Sequence, residues 1–284
     1  MSIADRMKGY ESQYTFQKLL PRIPICARID GRAFHTFCEG LKRPFDERLS
    51  ELMIRTTEFL VQETGANCGY TQSDEISLVW HYEDFNQSPF FVGRVSKLTS
   101  ILASMTTAYF TRHLIFDLPE KVNEWAFFDA RVWSLPLEEE VANYFLWRER
   151  DATRNSISMA AQSYFSQSEL HKKTSNEMQD MLWKEHQINW NDYPAFFKRG
   201  TYIQKRKVST PFSAEELDAL PAKHAARRDP NLVIERHKVT RLELPPLGKI
   251  VNRTDVLLRG HMHLFGKNAE EVWIISEREK EPYL

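Results

Sequence analysis

The chain has 284 residues, 42% of them hydrophobic, and a formal net charge of −1, enough apolar content for one large domain or a domain with an appendage. No run is long and apolar enough to span a membrane, and the opening Met1 to Tyr10, with Asp5, Arg6 and Lys8, does not read as a secretory signal. Cys26, Cys38 and Cys68 are odd in number and form no Cys-x-x-Cys pair, which argues against a disulfide framework or structural zinc, fits a reducing cytoplasm, and leaves at least two of them as buried small hydrophobes.

Residues 3–20 read as a short amphipathic helix stopped by Pro21 and Pro24, and residues 25–30 as a β-branched strand that Gly31 breaks. A polar, turn-rich loop follows as far as Pro44. Asp46 then caps a helix in which Leu49, Leu52, Met53 and Leu60 keep helical spacing, with Gly65 as its stop. Residues 68–71 and 76–80 are β-prone runs around Gln72-Ser73-Asp74-Glu75, which predicts a hairpin with Asp74 near its tip. Helical spacing resumes over 94–114, and residues 125–133 read as a further strand. Strand, helix, two strands, helix, strand is the split βαβ, ferredoxin-like order, in which helices cover one face of an antiparallel sheet, and polymerase palm domains share it.

Beyond it, residues 137–166 and 169–186 read as helical, and 201–208 as a strand paired with 232–244. The charged stretch 223–228, beside Pro221 and Pro230, reads as an exposed linker or loop. The expected fold is therefore α+β: a palm-type catalytic core over 1–135, a helical and β-hairpin extension of the same unit over 136–255, and a tail over 256–284 without identifiable chemistry.

In this order Asp30 ends the first strand and Asp74 sits on the hairpin of the strand beside it, so both carboxylates belong to one rim. Two hard oxygen ligands, with positions left for phosphate and water, suit magnesium, and a pair of such ions serves phosphoryl transfer. Gly31 has no side chain to keep its backbone from a triphosphate or a metal. An Asp after a strand is as readily a turn residue, and Ser-Asp-Glu a surface sequence, so spacing alone does not decide.

The segment Arg28-Ile29-Asp30-Gly31-Arg32-Ala33-Phe34-His35-Thr36-Phe37 resembles the signature of the tRNA-His guanylyltransferase-like family. So do Gly69-Tyr70-Thr71-Gln72-Ser73-Asp74-Glu75-Ile76-Ser77, Arg43-Pro44-Phe45-Asp46-Glu47-Arg48, Arg94-Val95-Ser96-Lys97, Phe128-Asp129-Ala130-Arg131, Trp147-Arg148 and Lys198-Arg199-Gly200. They run in family order over roughly residues 5–255. The resemblance implies two magnesium ions on Asp30, Asp74 and the carbonyl of Gly31, with Glu75 supporting them. It implies that the backbone of Gly31, Arg32, Ala33, Phe34 and His35 wraps the triphosphate of ATP, GTP or another NTP. Ser73 would lie against the nucleotide, and Arg43, Arg94 and Lys97 would meet phosphate oxygens. Arg43 stands where relatives usually carry Lys, which keeps the charge but not the point ammonium. Arg131, Arg148, Asn155, Lys198 and Arg199 would contact tRNA. A homotetramer is implied as well.

The implied reaction activates a 5′-monophosphorylated tRNA with ATP. The 3′-hydroxyl of an incoming nucleotide then attacks the adenylylated end and displaces AMP, so growth runs 3′ to 5′. Eukaryotic members carry a His-Ile-Asn-Asn-type motif after the Trp-Arg. Here Asp151-Ala152-Thr153-Arg154-Asn155-Ser156 stands instead, with Thr153 in the His position, which resembles the bacterial and archaeal-type branch and template-dependent 5′-end repair. The alternatives are addition of a single untemplated G to histidine tRNA, a palm-type nucleotide cyclase acting on free NTP, and a non-catalytic RNA-binding relative.

Other features read more plainly. His35, between Phe34 and Phe37, suits packing or backbone positioning better than proton transfer. His261 and His263 alternate on a possible strand but lack a neighbouring carboxylate or thiol, so a surface pair is favoured over a metal site. Trp133, Trp147, Trp183, Trp190 and Trp273 are expected in cores or interfaces.

Overall fold

The computed structural model describes residues 1–265 except 14, 85, 230 and 231. Trp273 and most of the expected tail lie outside the described residues. Helix α1 (Ile3–Ser12) is capped by Ser2, whose hydroxyl accepts from the Asp5 N–H, and it buries no side chain. It ends well short of residue 20, because the backbone beyond it pairs elsewhere: Leu19 donates to the Gly93 carbonyl at 2.8 Å and Val95 to that of Gln17 at 3.0 Å. Tertiary pairing overrides the amphipathic pattern there.

Strand β1 (Ile25–Gly31) includes Gly31 rather than stopping before it. The expected loop after it contains one helical turn, α2 (Phe34–Phe37), which sinks both phenylalanines into the core. Helix α3 (Glu47–Thr64) starts at Asp46, whose carboxylate accepts from the Arg48 N–H, and stops at Gly65, which takes the left-handed backbone (φ 68°) that favours glycine. Strands β2 (Cys68–Gln72) and β3 (Glu75–Trp80) form the hairpin, and α4 (Val95–Asp117) and β4 (Phe128–Ser134) complete the ferredoxin-like unit.

Helix α5 (Glu138–Gln162) follows as expected, but the next helical stretch is split into α6 (Gln167–Leu170) and α7 (Ser175–His186), each opened by its own capping box, at Ser166 and Thr174. After α8 (Ala195–Arg199) comes β5 (Thr201–Pro211). The connection read as a linker holds two short helices, α9 (Ala214–Ala219) and α10 (Ala225–Arg228), and Ala226 of the second is buried. Strand β6 (Val233–Leu242) returns along β5, and α11 (Arg253–Arg259) closes the fold. Residues 260–265 form no strand, and His261 is exposed.

All neighbours in the six-stranded sheet, β4-β1-β3-β2-β5-β6, are antiparallel. Its first four strands keep the ferredoxin-like order, and β5 extends it by pairing with β2. Alternation along the strands gives two cores. Ala27, Ile29, Ile76, Leu78 and Trp80 pack under α3 and α4 with Leu52, Leu60, Leu102 and Phe110. Cys26, Cys68, Tyr70 and Val79 face the other way and pack under α5 and α11 with Val141, Phe145, Val256 and Leu257. Cys26 and Cys68 are fully buried, as expected of small hydrophobes. The second face is therefore not bare: C-terminal helices cover its lower part and leave the rim around Asp30 open. Among the described residues no helix is long and apolar enough to cross a membrane.

Candidate active site

The rim forms where β1 ends beside the β2–β3 hairpin. Register places Asp30 opposite Glu75 on one side and Asp129 on the other. The two-residue turn Ser73-Asp74 puts Ser73 at φ 54° and brings the Asp74 carbonyl to the Gly31 N–H at 3.2 Å. A Cβ on Gly31 would sit 2.3 Å from the Phe34 ring and 2.9 Å from Asp74 Oδ2. Only glycine lets the Asp74 carboxylate lie against the end of β1, so the pairing of Asp30, Gly31 and Asp74 is built in by sterics.

Burial, and then the charge of Asp30, push the Asp74 carboxyl above the usual carboxylate range, against hydrogen bonds from its own backbone and Ser73 that hold it down. Asp30 itself is ion-paired with Arg28 at 3.7 Å and Arg131 at 3.6 Å. Glu75 is tied differently. Arg148 on α5 grips it with two bonds of 2.7 Å and holds Asp151 at 3.1 Å. Arg28 approaches Glu75 to 3.5 Å, yet its buried Nε makes no hydrogen bond among the described residues. Burial raises the Glu75 pKa while Arg148 and Arg28 lower it. Asp30 and Asp74 line a cavity of about 420 Å³ and offer hard oxygens that fit magnesium, as does the carbonyl of Gly31 next to Asp30 in the chain, with Glu75 already committed to Arg148.

A second cavity, of about 270 Å³, lies beside the first and shares Gln72, Ser73, Met159 and Gln162 with it. His35, Arg43 and Ser73 all line it, with Cys38, Phe45 and Phe197 supplying apolar surface. Arg32, Ala33 and His35 are exposed, whereas Phe34 is buried. The backbone turns through Ala33 at φ 51° into α2, whose first N–H groups have no intrahelical acceptor.

Arg94 and Lys97 are not brought to this rim. They start α4 beside Leu19, at the opposite end of β1 from Asp30, roughly 20 Å along a seven-residue strand. Arg131 and Asn155 are exposed near the rim, and Arg148 is buried in its clamp. Lys198 lies over the Trp190 ring at 5.6 Å. The Arg199 carbonyl accepts the Tyr70 hydroxyl at 2.8 Å, so this basic pair is pinned to β2. Trp147 and Trp183 are half exposed rather than core, and Trp147 stacks on Arg148 at 4.5 Å.

The sequence reading missed Arg28 and Asp151. Two residues before Asp30 on one strand is the same face, and three residues after Arg148 on a helix is the same side, so both signals were available. Another possible metal cluster, His81, Glu83 and Glu138, lies at the far end of β3, where Arg259 already bridges Glu83 at 2.8 Å and Glu138 at 2.7 Å.

Comparison with known proteins adds a family. The family model for tRNAHis guanylyltransferase matches residues 4–136. A bacterial tRNA-His guanylyltransferase-like protein solved in complex with ATP is 44% identical, with a TM-score of 0.69 over 72% of this chain and 89% of that one. A bacterial protein of the same description in complex with GTP is 36% identical, with a TM-score of 0.67 over 88% and 95% of the two chains. The tRNA-His guanylyltransferase of Saccharomyces cerevisiae is 27% identical over 222 residues, 72% of this chain and 92% of the yeast protein.

Proposed function

The chain belongs to the tRNA-His guanylyltransferase family of nucleotidyltransferases, and we propose that it extends the 5′ end of tRNA by template-dependent 3′-to-5′ addition. The observation that carries this is the seating of the Asp74 carboxylate against Gly31 and beside Asp30, two hard carboxylate donors on one rim, one of them raised by burial and by its neighbour's charge. Magnesium bound there would neutralise phosphate charge and polarise the attacking hydroxyl.

The residues do the positioning. Asp30, Asp74 and the Gly31 carbonyl would hold the metals, and Arg148 fixes Glu75 beside Asp30. The backbone of 31–35 takes the triphosphate of ATP or another NTP, with Arg43 on its phosphates, while the cavity lined by His35 and Ser73 takes the base. The 5′-phosphate of the tRNA attacks the α-phosphorus of ATP and pyrophosphate leaves. The 3′-hydroxyl of the next nucleotide then attacks the tRNA 5′-phosphorus and AMP leaves. No side chain becomes covalent, so catalysis rests on orientation and charge.

Arg131, Asn155, Lys198 and Arg199 contact tRNA backbone, and Arg148 meets tRNA only through the surface its clamp shapes. Since Arg94 and Lys97 lie far from their own rim, their phosphate contact calls for a second copy, in keeping with a homotetramer. The protein is assigned to the cytoplasm, in keeping with three free cysteines.

Templating is favoured by Thr153 where the eukaryotic motif has His. Base pairing with the opposite strand then selects the nucleotide, and the protein reads only shape and phosphates. The test is a set of 5′-truncated tRNAs whose templating base is changed to each of the four identities. Addition of the complementary nucleotide in every case is expected. Addition of G alone, restricted to histidine tRNA, contradicts it.

A further inference from the structure

Along edge strand β4 the side chains alternate between the faces of the sheet. Phe128 packs inward against Phe34 and Phe110, beneath α4. Asp129 and Arg131 take the opposite face, which carries Asp30, and Arg131 reaches both Asp30 (3.6 Å) and Asp129 (3.7 Å). The pairing with β1 continues one step beyond the strand, since the Arg32 N–H donates to the Phe127 carbonyl at 2.8 Å. By the same alternation Phe127, one step beyond β4, faces the side of Asp30 roughly 7 Å along the chain from Asp129, and the Trp125 ring lies beside it.

Both rings stand in the open. Trp125 is 78% exposed and Phe127 50% exposed, and their planes lie 5° from parallel with centroids 6.1 Å apart. Buried Ala126 between them fixes the segment. Exposed Arg32 adjoins the pair through its bond to Phe127, and Arg131, exposed on the same face, is shared between Asp30 and Asp129. The exposed apolar residues Ile115 and Phe116 belong to α4, on the other side of the sheet.

We propose that Trp125 and Phe127 are a stacking platform for unpaired bases of the RNA strand opposite the growing 5′ end. The proposal rests on templated addition and deepens it. A templating enzyme must hold an unpaired strand beside its reaction centre without preferring one base. Stacking on aromatic faces does this, because every base has a π-face, and the adjoining Arg32 takes phosphate.

The test is equilibrium binding without catalysis, in calcium, of two RNA hairpins, one blunt and one whose 3′ strand overhangs its 5′ end. The wild-type protein is compared with the W125A/F127A double variant and with W125F/F127Y. The alanine pair is expected to lose roughly tenfold or more in affinity for the overhanging hairpin, with affinity for the blunt one and for ATP retained. The aromatic pair of substitutions keeps most of the binding. Equal affinity of wild type and W125A/F127A for the overhang overturns the platform and leaves templated addition standing. Equal losses on both hairpins overturn it too, as does a fall in sedimentation mass, which would make the pair a contact between copies. Failure of the wild-type protein to bind either RNA sinks the functional reading itself.

Discussion

At the start of α5, Glu138 receives Arg259 at 2.7 Å, and the same guanidinium holds Glu83 at 2.8 Å and Asp255 at 3.0 Å. At the other end of the sheet, Asp30 meets Arg28 at 3.7 Å and Arg131 at 3.6 Å, but Asp74, whose carboxyl burial pushes up, has no ion pair among the described residues, and the buried Nε of Arg28 has no hydrogen-bond partner among them. In the first cluster every carboxylate reaches the same arginine, and together they tie the segment after β3 to α5 and α11. The second leaves one carboxylate, Asp74, without an ion pair among the described residues, on the wall of a cavity. Polar groups left short of partners at a cavity mark the place where a ligand completes the structure.

The comparison is sharpened most by removing one arginine from each end. Arg148→Ala strips a buried carboxylate of its two-pronged partner and is expected to cost about 3–5 kcal/mol of stability. Its effect on nucleotide addition by the folded fraction is expected to be a loss of roughly 10- to 100-fold, as for partners that orient a metal site. Arg259→Ala removes a half-exposed bridge and is expected to cost about 1 kcal/mol while addition per folded molecule stays unchanged. Urea unfolding with single-turnover addition checks both. Comparable losses of activity from the two substitutions would erase the distinction.

A smaller effect has the opposite sign. The Asp74 carboxyl is raised by burial and by Asp30, so its charged form opposes folding. Asp74→Asn is therefore expected to raise the melting temperature at neutral pH without divalent ions, while abolishing addition. The gain shrinks as pH falls through the raised pKa toward the ordinary carboxylate range, where Asp74 itself becomes protonated. A lower melting temperature for the amide in EDTA at pH 7 would show that the charge is satisfied by the protein.

Most of the core topology could be read locally. Helix α3 announces both its ends, with Asp46 as cap and Gly65 as stop, and the hairpin is marked by two β-prone runs around four polar residues. Asp30 and Asp74 were legible as a pair because adjacent strands were legible. What escaped depended on contacts between distant residues. The Arg148–Glu75 clamp joins positions 73 residues apart. Helix α1 was overextended because nothing local shows that residues 17 and 19 pair with the start of α4. For Arg94 and Lys97 the needed information was present, since the split βαβ order itself sends the start of the second helix to the end of the sheet opposite the rim. Motif resemblance named them as phosphate contacts without saying whose phosphate.

The most direct measurement is nucleotide addition to a 5′-truncated tRNA by Asp30→Ala and Asp74→Ala, followed across a magnesium titration, with circular dichroism and thermal melts confirming each fold. Loss of addition by both folded variants at every magnesium concentration, with tRNA binding retained, is the expected result. Near-normal turnover by either variant would contradict the assignment of this rim as the reaction centre.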